Sequence, residues 1–155
     1  NKYMLDTSGE PPEADIVIME STYGRREHHQ DFQESLKQLY RGINDTYERD
    51  GNYIIPVLSI NRLQEVLFYI NEAKNNGDIY EDINVVVDSN LGRKITEIYS
   101  RKRYRDQFSE NAKALFDSKD SYPFRYSTEV NGPERNIFVV SSGLDGLRGK
   151  LSRYM

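Results

Sequence analysis

Apolar positions along the chain follow two alternating rhythms. Short continuous runs rich in β-branched residues stand at 16–19, 53–58, 85–87 and 137–140. Between them, apolar residues recur three and four apart: Phe32, Leu36, Leu39, Tyr40, Ile43 and Tyr47, then Leu63, Val66, Leu67, Ile70 and Ala73, then Ile95, Ile98 and Tyr99. A short continuous run is the pattern of a fully buried strand, and three-to-four spacing is that of one face of a helix. Strand and amphipathic helix therefore alternate, which predicts a parallel sheet covered on both faces. The fold class expected is α/β, a three-layer α/β/α sandwich with a mainly parallel, Rossmann-like sheet. A further helix is expected near 109–116, an irregular passage at Tyr122-Pro123-Phe124, and a glycine-broken helix from about Gly143. Asn61 is placed to cap the second helix, with Gln64 three residues on in capping-box position. Pro56 removes a ladder donor from its strand, so a bulge or an edge position is expected there.

Composition narrows the class. A chain of 155 residues suits one domain. Its 37% hydrophobic and 30% charged content is that of a globular protein, and no apolar run approaches the roughly 20 residues of a membrane span. Neither a signal peptide nor a bilayer crossing is expected, and a cytoplasmic setting is the default. Without cysteine there is no disulfide, thiolate zinc site or cysteine nucleophile. The net charge of −4 argues against sequence-independent coating of nucleic acid, but not against a local basic patch. Asn1 at the start and the helix-like residues 151–155 at the end suggest a piece of something larger.

The chemistry gathers where the strands end. The four runs finish on Glu20-Ser21-Thr22, Ser59-Ile60-Asn61-Arg62, Asp88-Ser89-Asn90 and Ser141-Ser142-Gly143. In an open parallel sheet this carboxyl edge is where ligands bind, and each following helix turns the positive end of its dipole towards it. Serine at each of the four ends, four helix N-termini and Arg62 are expected to converge there and to favour an anion, phosphate above all. Taken singly, each Ser, Asn or Asp is also an ordinary helix cap. Arg62 is the telling member, because a cation in a first turn is disfavoured unless an anion accompanies it. The basic run Arg101-Lys102-Arg103-Tyr104-Arg105, with Tyr99 nearby, has the form of a phosphate-binding stripe. It reads more readily as a solvated helix face, with Glu97 pairing Arg101 one turn on. His28 and His29 are adjacent and point apart, so they cannot chelate one ion. There is no nucleophile and base pair and no dinucleotide glycine fingerprint.

Four ordered segments resemble one family. Asp15 to Gly24, DIVIMESTYG, with Arg26 and His28 following, is similar to the stretch at which metallo-β-lactamase-fold nucleases pass into their inserted β-CASP domain. Residues 52–67, NYIIPVLSINRLQEVL, resemble the family's G-x-x-L-I-P-x-F-A-x-G-R-x-Q-E-L-L segment. Residues 85–99, VVVDSNLGRKITEIY, resemble D-S-P-x-A-x-x-x-T-x-I-Y, and residues 139–146, VVSSGLDG, resemble ASSGMLxxG. The family includes RNase J, the pre-mRNA 3′-end cleavage endonuclease and the Integrator endonuclease, and the ESTYG form resembles its RNA-processing branch.

The resemblance implies a β-CASP domain over 14–155, short of its C-terminal strands, preceded by a linker or the end of a metallo-β-lactamase domain at 1–13. It implies RNA as ligand, that catalytic domain as partner, a possible homodimer and no membrane. Two zinc ions would belong to the parent ribonuclease and none to this chain, which alone would be inactive. Glu20 is expected to support the metal site, and Ser21, Thr22, Tyr23, Ser59, Arg62, Ser89, Ser141, Ser142 and Gly143 to contact substrate. The sequence departs from the pattern at Asn61 for glycine, Arg25 for Asp or Asn, Asn90 for proline and Leu144 for methionine. Those changes leave open a non-catalytic β-CASP scaffold; a Rossmann-like nucleotide or sugar binder is the remaining alternative.

Overall fold

The structure, a computed structural model, describes residues 4–5, 10, 12–19, 21–22, 24, 31–116, 122–127, 135–141 and 150–154. Helix α1 (Phe32–Glu48) starts where Asp31 accepts a hydrogen bond from the Gln33 backbone N–H at 2.9 Å, satisfying one of the donors a first turn leaves over. Ile43 is fully buried, and Leu36, Leu39, Tyr40 and Tyr47 share its face at half burial. Then come β1 (Tyr53–Val57), α2 (Arg62–Asn76), β2 (Asn84–Asp88) and α3 (Asn90–Tyr99). A 3-10 turn (Lys102–Gln107), α4 (Glu110–Leu115), β3 (Arg125–Tyr126), β4 (Asn136–Ser141) and a second 3-10 turn (Lys150–Arg153) complete the described elements. α2 stops at Gly77, whose φ of +75° lets the Asp78 N–H return to the Ala73 carbonyl at 2.8 Å.

All pairings in the sheet are parallel, in the order β1-β4-β2-β3. β4 runs through the centre, and its Ile137, Val139 and Val140 are fully buried, each stabilising by about 2 kcal/mol. The register sets Ile55 and Val87 beside Val139, so one face of the sheet carries Val57, Val85, Val87, Ile137 and Val139. Ile43 of α1, Leu63, Leu67 and Ile70 of α2, and Ala112 and Leu115 of α4 complete that core. On the opposite face Phe138 meets the Tyr154 ring at 5.0 Å. The α/β class with a parallel sheet between helical layers is as the sequence predicts. Pro56 lies on the edge strand β1 and is exposed, the position its missing N–H allows.

Three expectations are corrected. Residues 16–19 are not a strand of this sheet. Ile16, Val17, Ile18 and Met19 are between 72% and 95% exposed. The run has strand propensity but no ladder partner among the described residues, and propensity without a neighbour does not make a strand. The passage after Tyr122 supplies the short β3 instead, paired to Val86 and Val87. Asn61 does not cap α2 through its side chain, and Gln64 is buried rather than folded back on the helix start. Last, Glu97 pairs with Arg93 at 3.3 Å, and the basic run lies on a 3-10 turn, not a continuing α-helix face. The glycine-broken helix expected from Gly143 begins outside the described residues.

Candidate nucleic-acid interface

The carboxyl edge is built from strand ends that finish level. Val57 of β1 lies opposite Ser141 of β4, and Asp88 of β2 opposite Val140, so three neighbouring strands end together. Helices α2 and α3 begin at this edge and direct two N-terminal dipoles to it. Ser89 caps α3: its oxygen accepts the Gly92 N–H at 2.9 Å, and it is only 4% exposed. The half-buried Ser59 hydroxyl lies 3.0 Å from that same oxygen. Because the Ser89 oxygen already accepts from Gly92, a hydrogen on either serine can close this contact, and the β1 and β2 exits are tied together over the end of β4. Ser141 donates towards the Asp88 carbonyl at 3.5 Å.

Between Ser59 and α2 the chain makes a tight turn. Asn61 has φ +62° and ψ −56°, and the Arg62 N–H bonds the Ile60 carbonyl two residues back at 2.7 Å. That is a γ-turn of positive φ, a strained conformation for any residue with a Cβ. It gives a reason for glycine at this place in the family pattern. Arg62 then leaves the first turn of α2 and pairs with Glu65 at 2.7 Å, its side chain 69% exposed. The anionic partner predicted for it is, in this structure, a glutamate one turn on.

The buried Gln64 locks the two helices. Its amide nitrogen reaches the Thr96 hydroxyl at 3.1 Å, the Gly92 carbonyl at 3.3 Å and the Ser59 carbonyl at 3.4 Å. At the crossing, a Cβ on Gly92 would come within 2.5 Å of Leu63 and 2.8 Å of the Ser89 hydroxyl, so only glycine fits without adjustment.

Asp88 is the charged centre of the edge. It is 5% exposed, and its carboxylate accepts from Lys150, from Ser127 at 2.8 Å and from Tyr154 at 3.1 Å. Burial acts to raise its pKa, but the hydrogen bonds from Lys150, Ser127 and Tyr154 and the lysine's charge outweigh burial and hold it below the ordinary carboxylate value. Lys150 also reaches Asn90 at 3.4 Å. A negative charge that would repel a phosphate is thereby neutralised within the protein.

Of the residues predicted for this site, the structure brings Ser59, Ser89, Ser141 and Arg62 to one edge. Ser21 and Thr22 are exposed, with the Ser21 carbonyl accepting from Gly24 at 2.9 Å. Glu20, Tyr23, Ser142, Gly143, His28 and His29 lie outside the described residues. The convergence is smaller than four junctions, since 16–19 is not a strand. Lys150, Ser127 and Tyr154 were not singled out for this site by the sequence, and Gln64 was read there only as part of a helix cap. Asp88 ending a β-branched run was a usable signal; nothing local marked Lys150, 62 residues away. Among the described residues no three His, Cys, Asp or Glu side chains form a group that could hold a metal ion, so the residues described here do not fit a zinc site.

No protein-family model matches the chain. Individual proteins do. The chain is 25% identical over 161 residues to cleavage and polyadenylation specificity factor subunit 3 of Dictyostelium discoideum, a match covering 100% of this chain and 20% of that protein. It is 30% identical over 125 residues to ribonuclease TTHA0252 of Thermus thermophilus, covering 80% of this chain and 27% of the relative. The chain is a homologue of the β-CASP RNA-processing nucleases. An RNase J-like protein of Methanocaldococcus jannaschii is 34% identical over 92 residues, or 59% of the chain and 22% of that protein. This β-CASP homologue thus spans about a fifth to a quarter of the length of these relatives. The match to the first takes in all four segments on which the resemblance rests.

Proposed function

We propose that the chain is the RNA-binding lid of a larger zinc-dependent ribonuclease that hydrolyses phosphodiester bonds, with residues 14–155 as its β-CASP domain and 1–13 as the approach from the metallo-β-lactamase domain. One observation carries the reading: three parallel strands end level, presenting Ser59, Ser89, Ser141 and Arg62 beside two helix N-termini, with the nearby Asp88 charge neutralised by Lys150. The Arg62–Glu65 pair is exposed, and such a pair contributes at most about 1 kcal/mol. A phosphate at the positive end of α2 can therefore displace Glu65 and take the guanidinium in bidentate fashion. Ser142 and Gly143, which follow Ser141 in sequence, and Ser21, Thr22 and Tyr23 are assigned to the same substrate contact on the family resemblance alone.

The zinc pair is assigned to the remainder of the protein, where it would supply the activated water, and Glu20 to its support. The exposed run 16–19 fits the same division of labour. Four apolar residues with strand propensity and no partner in this sheet would join the sheet of the catalytic domain, and a homodimer is compatible with that docking. The test is cleavage of a single-stranded RNA by the full-length protein, with and without a zinc chelator. Zinc-dependent cleavage that falls in Arg62→Ala is expected. RNA binding with no cleavage at any zinc concentration would make the protein a scaffold instead.

A further inference from the structure

At the far end of α3 from Ser89, about 15 Å along a ten-residue helix, the chain leaves an open pocket of about 260 Å³. Leu5, Ile98, Tyr99, Tyr104, Gln107 and Phe108 line it. Its floor is rigid. The Tyr99 and Phe108 rings lie 5.3 Å apart, with Phe116 5.6 Å beyond Phe108, and Leu5 is bridged to Phe108 in antiparallel fashion. Tyr104 forms one wall, and the Arg103 guanidinium sits over its ring at 4.6 Å from the centroid. That contact steadies the ring while it lines the cavity.

The turn that supplies Tyr104 and Gln107 to the pocket has the opposite sign from the protein as a whole. Residues 101–107 carry Arg101, Lys102, Arg103 and Arg105 against the single acid Asp106, a local charge of four minus one, or +3, in a chain of net charge −4. Arg101, Lys102 and Arg103 are exposed, and the 3-10 turn holds them around Tyr104. An apolar pocket alone would suit many occupants, and the charge chooses among them. An apolar side chain of a partner protein gains nothing from three exposed cations. A nucleotide of a single strand brings a planar base for the rings and phosphates for the turn, the combination by which such strands are held.

We propose that the pocket between the end of α3 and the turn Lys102–Gln107 receives one base of a single-stranded RNA, stacked on Tyr104 beside Tyr99, with the flanking phosphates on Arg101, Lys102 and Arg103. This contact is separate from the carboxyl edge and rests on the reading of the protein as RNA-binding. It lengthens the path of the RNA across the domain and anchors a nucleotide away from the strand ends.

The test uses the full-length protein and a fluorescein-labelled oligouridylate, with affinity measured by anisotropy over a range of salt concentrations. Tyr104→Ala is expected to weaken binding about tenfold, as loss of a stacked base does, while Tyr104→Phe keeps wild-type affinity. Arg101→Glu with Arg103→Glu is expected to flatten the salt dependence by about 0.7 in slope for each phosphate that the variant no longer neutralises. A photoreactive benzoylphenylalanine in place of Tyr104 is expected to crosslink to the RNA, which settles the matter even where the charge reversal fails to fold. Wild-type affinity in Tyr104→Ala, an unchanged salt slope, or a crosslink to a protein segment instead of RNA would overturn the proposal. If Arg62→Ala weakens binding and Tyr104→Ala does not, the pocket falls and the RNA reading stands. If the wild-type protein binds no RNA, both fall.

Discussion

Asp88 shows how an acid is kept ionised against a sheet. Its pKa in the folded chain is held below the ordinary value by partners that overcome burial. As pH falls, the unfolded chain therefore takes up this proton first. The stability that Asp88 contributes is complete above the unfolded value of about 3.9 and is lost as pH falls through the lower folded value. In Lys150→Met, burial remains and the cationic donor is gone. Urea unfolding of that variant is expected to show a loss of about 2 kcal/mol at neutral pH, a deficit that shrinks as pH falls, because the folded-state pKa of Asp88 is no longer held down by the lysine and protonation relieves the buried charge. Superimposable stability curves would refute the network. Asn61 makes the opposite prediction. At φ +62° it bears the strain of a γ-turn, so Asn61→Gly is expected to stabilise by about 1 kcal/mol and Asn61→Val to destabilise, both by thermal unfolding.

At the scale of elements, the carboxyl edge depends on how closely α2 and α3 cross. Gly92→Ala places a methyl against Leu63 and Ser89 and is expected to cost about 1 kcal/mol, raised above the usual gain of alanine in a helix by overpacking. Gln64→Leu removes the amide donor from the Ser59 carbonyl and the Thr96 hydroxyl, while the Gly92 carbonyl keeps the Thr96 hydroxyl, and is expected to cost about 2 kcal/mol, measured by the denaturant midpoint. The helices themselves were legible, because three-to-four spacing of Leu63, Leu67 and Ile70 belongs to α2 whatever surrounds it. Gln64 was not, because a capping box and a buried interhelical amide begin with the same residues. Only the γ-turn at Asn61, which turns the backbone away from cap geometry, separates them. The run 16–19 failed for a related reason: local propensity states what a segment can be, and a ladder partner elsewhere decides what it is.

At the scale of the whole molecule, the alternation of runs and amphipathic stretches carried the α/β class and the parallel sheet, since both follow from periodicity. The order β1-β4-β2-β3 did not follow, because inserting the last strand between the first two is a long-range choice with no local mark. The candidate site was legible in the same proportion. Ser59, Ser89 and Ser141 could be placed at strand ends from their positions after apolar runs, whereas the Lys150 that neutralises Asp88 arrives through the fold. The surface proposed to meet RNA is the carboxyl edge, where three strands end level. Hydrogen–deuterium exchange of the full-length protein, with and without single-stranded RNA, addresses that surface directly. RNA is expected to slow exchange at the amides of 59–65, 89–93 and 141. Saturating RNA binding with no added protection at those amides would place the interface elsewhere and contradict the lid reading.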